Sequence, residues 1–191
     1  MTKRKNVLNQ TTPINEVKNP IKPYEDKEKR IVFDISFRGL FYFVDCKGFT
    51  NRLRDEKEFS DKFSQFITLI HKLEKKEFGQ ELIQEPGMRH CHLIKQEEKR
   101  ELVHKCFVES LKECVSQSDQ REDYWAQITE GEKLYQIGFE REWRFIGIYK
   151  ENRNLFYILL FDWHHSLFPD GRRNTINPKQ MKYSLFGRNK K

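Results

Sequence analysis

Long apolar runs are missing from this 191-residue chain. Nothing approaches the roughly 20 consecutive apolar residues of a membrane span, so no membrane partner is expected. The opening M-T-K-R-K-N carries charge with no apolar segment behind it, so no secretory signal is expected either. The four cysteines, Cys46, Cys91, Cys106 and Cys114, contain no C-x-x-C pair. That spacing argues for reduced thiols and a cytoplasmic location rather than a disulfide framework. A Walker A loop, G-x-G-x-x-G and G-x-S-x-G are all absent, which removes the common phosphate-cradle, dinucleotide and nucleophile-elbow signatures. No internal repeat is visible, and no cofactor is expected.

What the chain does have is aromatic bulk and charge. It is 37% hydrophobic, 34% charged and 14% aromatic, with sixteen Phe, seven Tyr and three Trp. These rings supply the core of one domain plus tails. The net charge of +7 is unevenly placed. Residues 1–30 hold eight Lys/Arg against four Asp/Glu, and residues 170–191 hold seven against one, while residues 31–169 hold 21 against 24. The basic character therefore belongs to the two ends. Such ends serve either solubility or salt-sensitive contact with phosphates.

Three regions follow: a flexible basic arm over 1–30, a domain over 31–169 and a basic C-terminal tail over 170–191. Pro13, Pro20 and Pro23 and the lack of any hydrophobic period mark the arm. Ile31, Phe33, Ile35 and Phe37 alternate as a half-buried strand, which Gly39 interrupts. Residues 45–54 read as a loop. Phe59, Phe63, Phe66, Ile67, Ile70 and Leu73 form one helical stripe over about 55–76. Residues 88–94 read as short and extended. Leu102, Val103, Cys106, Phe107, Ser110, Leu111 and Cys114 make a second amphipathic helix within 97–115. Residues 116–131 read as a polar loop, and Leu134–Phe139, Trp143–Tyr149 and Leu155–Phe161 as three strands of an antiparallel meander. The fold class is α+β: an antiparallel sheet, made of the early N-terminal strand and the C-terminal meander, with two amphipathic helices on one face.

Three segments resemble the RelE/ParE-type bacterial toxin fold: W143-R-F-I-G-I-Y, N154-L-F-Y-I-L-L-F-D162 and H164-H-S-L-F168. The chain is more closely similar to a poorly characterised bacterial branch. That branch has an early F-x-F strand (Phe33–Phe37), an R-x-H-x-I segment near Arg89–Ile94, and a final strand ending D-x-x-H-x-L-(Y/F)-P (Asp162–Pro169). The resemblance implies a small sheet-and-helix domain. In well-studied relatives it implies cleavage of mRNA, often on the ribosome, held in check by a cognate antitoxin. Other relatives attack gyrase, so the fold alone does not choose a function. This chain departs from the pattern in being about twice the length of a minimal toxin and richer in histidine. The resemblance points to Arg144 and the His164/His165 position as site residues.

Cleaving RNA without a metal needs a base for the 2′-OH, an acid for the leaving oxygen and a cation for the phosphorane. Histidine suits either proton role and arginine the third. His164 and His165 follow the last strand directly. If its parity continues, His164 shares a face with Leu160 and Asp162. Alternatively, Trp163 and one of the two histidines cover the sheet end, held by a hydrogen bond to Asp162. His90 and His92 would share one face of an extended segment flanked by Arg89, and read alternatively as one buried and one solvated histidine. Arg144 either binds phosphate or pairs with a cross-strand acid near Glu140 or Glu142. Arg172, Arg173, Lys179, Lys182 and Tyr183 suit an RNA backbone, or a segment packed on the domain.

Two functions from different classes follow. One is a toxin-like, metal-independent endoribonuclease. In it His164 or His165 with His90 or His92 would move protons, and Arg144 and Arg89 would hold phosphate. The other is a non-enzymatic RNA- or protein-binding module on the same fold. A metal nuclease built on His90, Cys91, His92, His164 and His165 lacks a typical ligand spacing.

Overall fold

A computed structural model describes residues 30–74, 76, 78–79, 82, 91–139, 143–168 and 177–185. The arm over 1–29 lies outside the described residues, as do Arg89, His90, Arg172 and Arg173.

The fold is α+β. Strands β1 (Val32–Asp34), β4 (His92–Leu93), β5 (Leu134–Phe139), β6 (Trp143–Lys150) and β7 (Leu155–Asp162) form one sheet in the order β1-β7-β6-β5-β4. The expected meander of β5, β6 and β7 is present and antiparallel. The N-terminal strand is shorter than the alternation suggests and joins β7 in parallel, so the sheet is mixed at that edge. Asn154, at φ 49, closes the turn between β6 and β7. A small hairpin of β2 (Asp45–Cys46) and β3 (Phe49–Thr50) replaces the loop expected over 45–54. Its two turn residues, Lys47 at φ 49 and Gly48 at φ 87, both have positive φ. That is the backbone a two-residue hairpin needs to match strand twist.

Helix α1 spans Glu56–Leu73, α2 spans Glu97–Ser110 and α3 spans Ser118–Thr129. The α1 start is well specified. The Asp55 carboxylate accepts the Glu58 N–H at 2.8 Å, and the Glu58 carboxylate accepts the Arg54 N–H at 2.7 Å. Phe66, Leu69, Ile70 and Leu73 are buried on its inner face. The α3 segment is the one expected as loop. None of its residues is fully buried, so it carries no apolar stripe. Tertiary contacts make up for this. Tyr124 stacks near Phe37 and Phe107, and Trp125 packs on His104 and Phe107. Arg121 Nη1 donates to the Val115 and Ser116 carbonyls in the link from α2.

The expected pair of helices on one face becomes three helices on two faces. Phe66 of α1 contacts Trp143, Phe145 and Phe161. The opposite face takes the alternate β6 positions and, because β7 carries one extra residue at the Ile146/Gly147 register shift, Tyr157 of β7. There Tyr157 meets Phe37, which stacks on Phe107 of α2 at 4.6 Å, and Tyr124 of α3 lies within 3.5 Å of the Tyr157 hydroxyl. This explains why β6 is buried at every position from Trp143 to Ile148 and why β7 reads as a continuous apolar run. Among the described residues, no helix is long and apolar enough to cross a membrane.

The C-terminal tail expected from residue 170 is partly docked. Leu53 and Tyr183 exchange both backbone hydrogen bonds, at 2.9 and 2.8 Å. Met181 is buried, and the Tyr183 ring packs 5.8 Å from Phe59.

Candidate functional site

The chain turns back directly after β7, and Asp162 causes it. Its carboxylate accepts the Ser166 N–H at 2.7 Å, the Ser166 hydroxyl at 3.3 Å and the Leu167 N–H at 2.9 Å. His165 occupies the left-handed region at φ 54. The strand parity expected to carry His164 onto the Asp162 face therefore stops at Asp162. Burial pushes the Asp162 pKa up, opposed by the Ser166 and Leu167 N–H groups and by the nearby His165.

Arg144 lies directly opposite Asp162 in the β6–β7 register and is 1% exposed. One guanidinium nitrogen donates to the Trp143 carbonyl at 2.7 Å, and Nε has no partner among the described residues. Burial lowers its pKa, while the charges of Asp162 and Cys91 oppose that. Arg144 is thus a core residue facing a buried acid, and the expectation of an accessible phosphate ligand fails on burial. The cross-strand acid anticipated near Glu140 or Glu142 is Asp162 in register.

His92 is exposed on edge strand β4. It pairs with Gln136, which pairs with Ile146, which pairs with Leu160. Three ladder steps at roughly 4.8 Å each separate β4 from β7 by about 14 Å. His164 lies further on, past the end of β7. The two imidazoles do not share one phosphate, so a paired acid and base drawn from His92 and His164 is not assembled.

His164 sits elsewhere, against the entry to α1. Its Nε2 is 2.7 Å from the Arg52 carbonyl oxygen. A carbonyl oxygen only accepts, so Nε2 carries the proton and the neutral ring keeps its lone pair on Nδ1. Burial lowers the His164 pKa, with the Arg52 hydrogen bond and the Glu58 charge opposing and the Lys62 charge adding to the effect. Lys62 Nζ donates to the Trp163 carbonyl at 3.1 Å. Beside this lies an open polar cleft of about 450 Å³ lined by Arg54, Asp55, Lys57, Glu58, Asp61, Lys62 and Gln65. Its three cations face three carboxylates. Arg54 Nε is 3.2 Å from Glu58, and Arg52 Nε is 3.3 Å from Asp45 with its guanidinium 4.1 Å over the Phe43 ring. Sequence reading missed Arg52, Glu58 and Lys62 as neighbours of His164. They lie more than 100 residues away along the chain, and no local pattern signals the contact.

The model of a family described as Uncharacterised protein UU032 matches residues 36–190. The chain belongs to that family. No curated protein matches it, and no solved structure matches it. The matched range includes the C-terminal segment, in keeping with the packing of Met181 and Tyr183. Lys179 and Lys182 are exposed on that segment, on either side of buried Met181. The Leu53–Tyr183 bridge sets them on the side of the domain that carries Arg52 and Arg54. Tyr183, expected to meet RNA, spends its ring on Phe59. Among the described residues, no group of three His, Cys, Asp or Glu is placed to hold a metal ion.

Proposed function

We propose that this protein binds RNA through the phosphate backbone as a non-enzymatic module, with its basic C-terminal segment as the contact surface. The observation that carries this reading is the Leu53–Tyr183 bridge, because it holds Lys179 and Lys182, two cations of a sequence stretch with formal charge +6 over 170–191, to a fixed place on a slightly acidic domain. A cation held in place loses less freedom on binding than one on a free tail, and backbone contact needs no base-specific groups. The resemblance to RelE/ParE-type toxins makes RNA the first polyanion to try, and the cysteine spacing favours a cytoplasmic setting. Arg172, Arg173, Lys179 and Lys182 are the phosphate contacts in this reading.

A second reading, cleavage of RNA, rests on His164 alone. A neutral imidazole with Nε2–H fixed on a carbonyl offers Nδ1 as a base. Among the described residues it lacks an assembled acid partner, and Arg144 is buried.

The test is fluorescence anisotropy of a labelled single-stranded RNA with the full chain, across a salt series. Affinity is expected to fall with salt, at about 0.7 logarithmic units per phosphate contact for each tenfold rise. The Lys179→Glu/Lys182→Glu variant should bind more weakly and with a shallower slope, and His164→Ala should bind like wild type. Failure to bind at low salt sinks the proposal. RNA cleavage that disappears in His164→Ala selects the second reading instead.

A further inference from the structure

The chain's thiols are not equivalent, and two of them meet. Cys46 lies on β2 and is partly exposed, while Cys106 on α2 is buried. The hairpin strand packs against that helix and brings Cys46 within electrostatic range of the Cys106 thiol. The contact joins two elements about 60 residues apart, so it is a product of the fold and not of local sequence. Burial and the neighbouring Cys46, Asp162 and Glu109 keep Cys106 protonated, far above the ordinary thiol range. Cys46 is the sulfur that solvent reaches.

We propose that Cys46 and Cys106 form a peroxide-driven disulfide that clamps the β2–β3 hairpin to α2. Cys46, as its thiolate, attacks one oxygen of hydrogen peroxide. The O–O bond breaks, the departing hydroxide takes a proton to become water, and Cys46 becomes a sulfenic acid. The Cys106 thiol, held beside it, loses its proton as its sulfur attacks the Cys46 sulfur. The S–S bond forms, the S–O bond breaks, and the departing hydroxide takes the Cys106 proton as a second water. Two thiols lose two electrons in all, and one peroxide gains them. Transient disulfides of this kind suit a compartment that otherwise keeps thiols reduced.

The clamp acts on a segment with other duties. Asp45, next to Cys46, holds Arg52, and the chain after β3 runs to Leu53, where the C-terminal segment docks. Oxidation therefore fixes the strand pair that leads into that docking point. The inference does not depend on RNA binding, because its readout is the disulfide itself.

The reduced full-length chain is treated with a few equivalents of hydrogen peroxide, unfolded, and its free thiols counted, with non-reducing peptide mass mapping alongside. The count is expected to fall from four to two, with one linked peptide pair containing Cys46 and Cys106 that dithiothreitol reverses. Cys46→Ser should leave Cys106 reduced. Cys106→Ala should leave a Cys46 sulfenic acid that dimedone traps, and should that variant misfold, the wild-type peptide map and Cys46→Ser decide alone. A full thiol count after peroxide is consumed, or Cys46 linked to Cys91, Cys114 or a second chain, overturns the proposal.

Discussion

Replacing Asp162 by alanine should cost more than any other single side-chain truncation at the end of the sheet. The carboxylate accepts two backbone N–H groups, from Ser166 at 2.7 Å and Leu167 at 2.9 Å, and both residues are buried. In Asp162→Ala those donors lose their acceptor where water does not replace it, at about 1–3 kcal/mol each. Arg144, 1% exposed and opposite in register, loses its counter-charge at the same time. No hydrogen bond joins the two side chains, since the guanidinium donates to the Trp143 carbonyl, so this through-space loss is smaller than that of the two orphaned N–H groups. The expected total is about 4 kcal/mol, a large part of the ~5–15 kcal/mol that holds a domain folded. Urea denaturation followed by tryptophan fluorescence measures it. With a slope of about 2 kcal/mol per molar, the midpoint should fall by about 2 M. Arg144→Met then closes a double-mutant cycle. It should cost less in the Asp162→Ala background than in wild type, with a coupling of about 1–3 kcal/mol. A midpoint drop below about 0.5 M would show that the turn is held by something else. Strict additivity would show that Arg144 and Asp162 do not act as a pair.

Three further outcomes are expected. Gly147→Ala should destabilise by about 3 kcal/mol in the same assay, because the added Cβ would sit 2.3 Å from the Tyr157 carbonyl oxygen and 2.4 Å from the Phe156 ring. A loss under 1 kcal/mol would mean that the bulge at Ile146/Gly147 yields freely. Phe66→Ala should cost about 4 kcal/mol, since that fully buried ring packs α1 against Trp143, Phe145 and Phe161. A loss no larger than for an exposed residue would refute the placement of α1. His164 has a folded pKa below its ordinary 6.5, so the unfolded chain takes up its proton first as pH falls. Its contribution to stability is complete above about pH 6.5 and is lost as pH drops towards the folded value. Wild type should therefore lose more urea midpoint between pH 7.5 and 5.5 than His164→Asn, and parallel losses would contradict the partly buried, neutral ring.

Periodicity explains which elements were legible. The Phe59-to-Leu73 stripe and the three C-terminal apolar runs each meet one core face repeatedly, so the pattern of burial is written into neighbouring residues. Helix α3 touches the core only through the partly buried Tyr124, Trp125 and Ile128, too few to set a period. The β2–β3 hairpin turns on Lys47-Gly48, which lacks the Asn-Gly or Asp-Gly signature that announces such a turn. The parity argument for His164 failed because a side chain, Asp162, bends the backbone.

The amino-acid sequence by itself determined the α+β class, the meander and the concentration of positive charge at the two ends, because these follow from local hydrophobic spacing and from counting. Only the tertiary structure decided that Arg144 lies in the core opposite Asp162, that His92 stays about 14 Å or more from His164, that Tyr183 ties the basic segment to Leu53, and that Cys46 meets Cys106. Each of these depends on strand register, strand order or a contact across long chain separation. A single chain read in one dimension carries no measure of any of them.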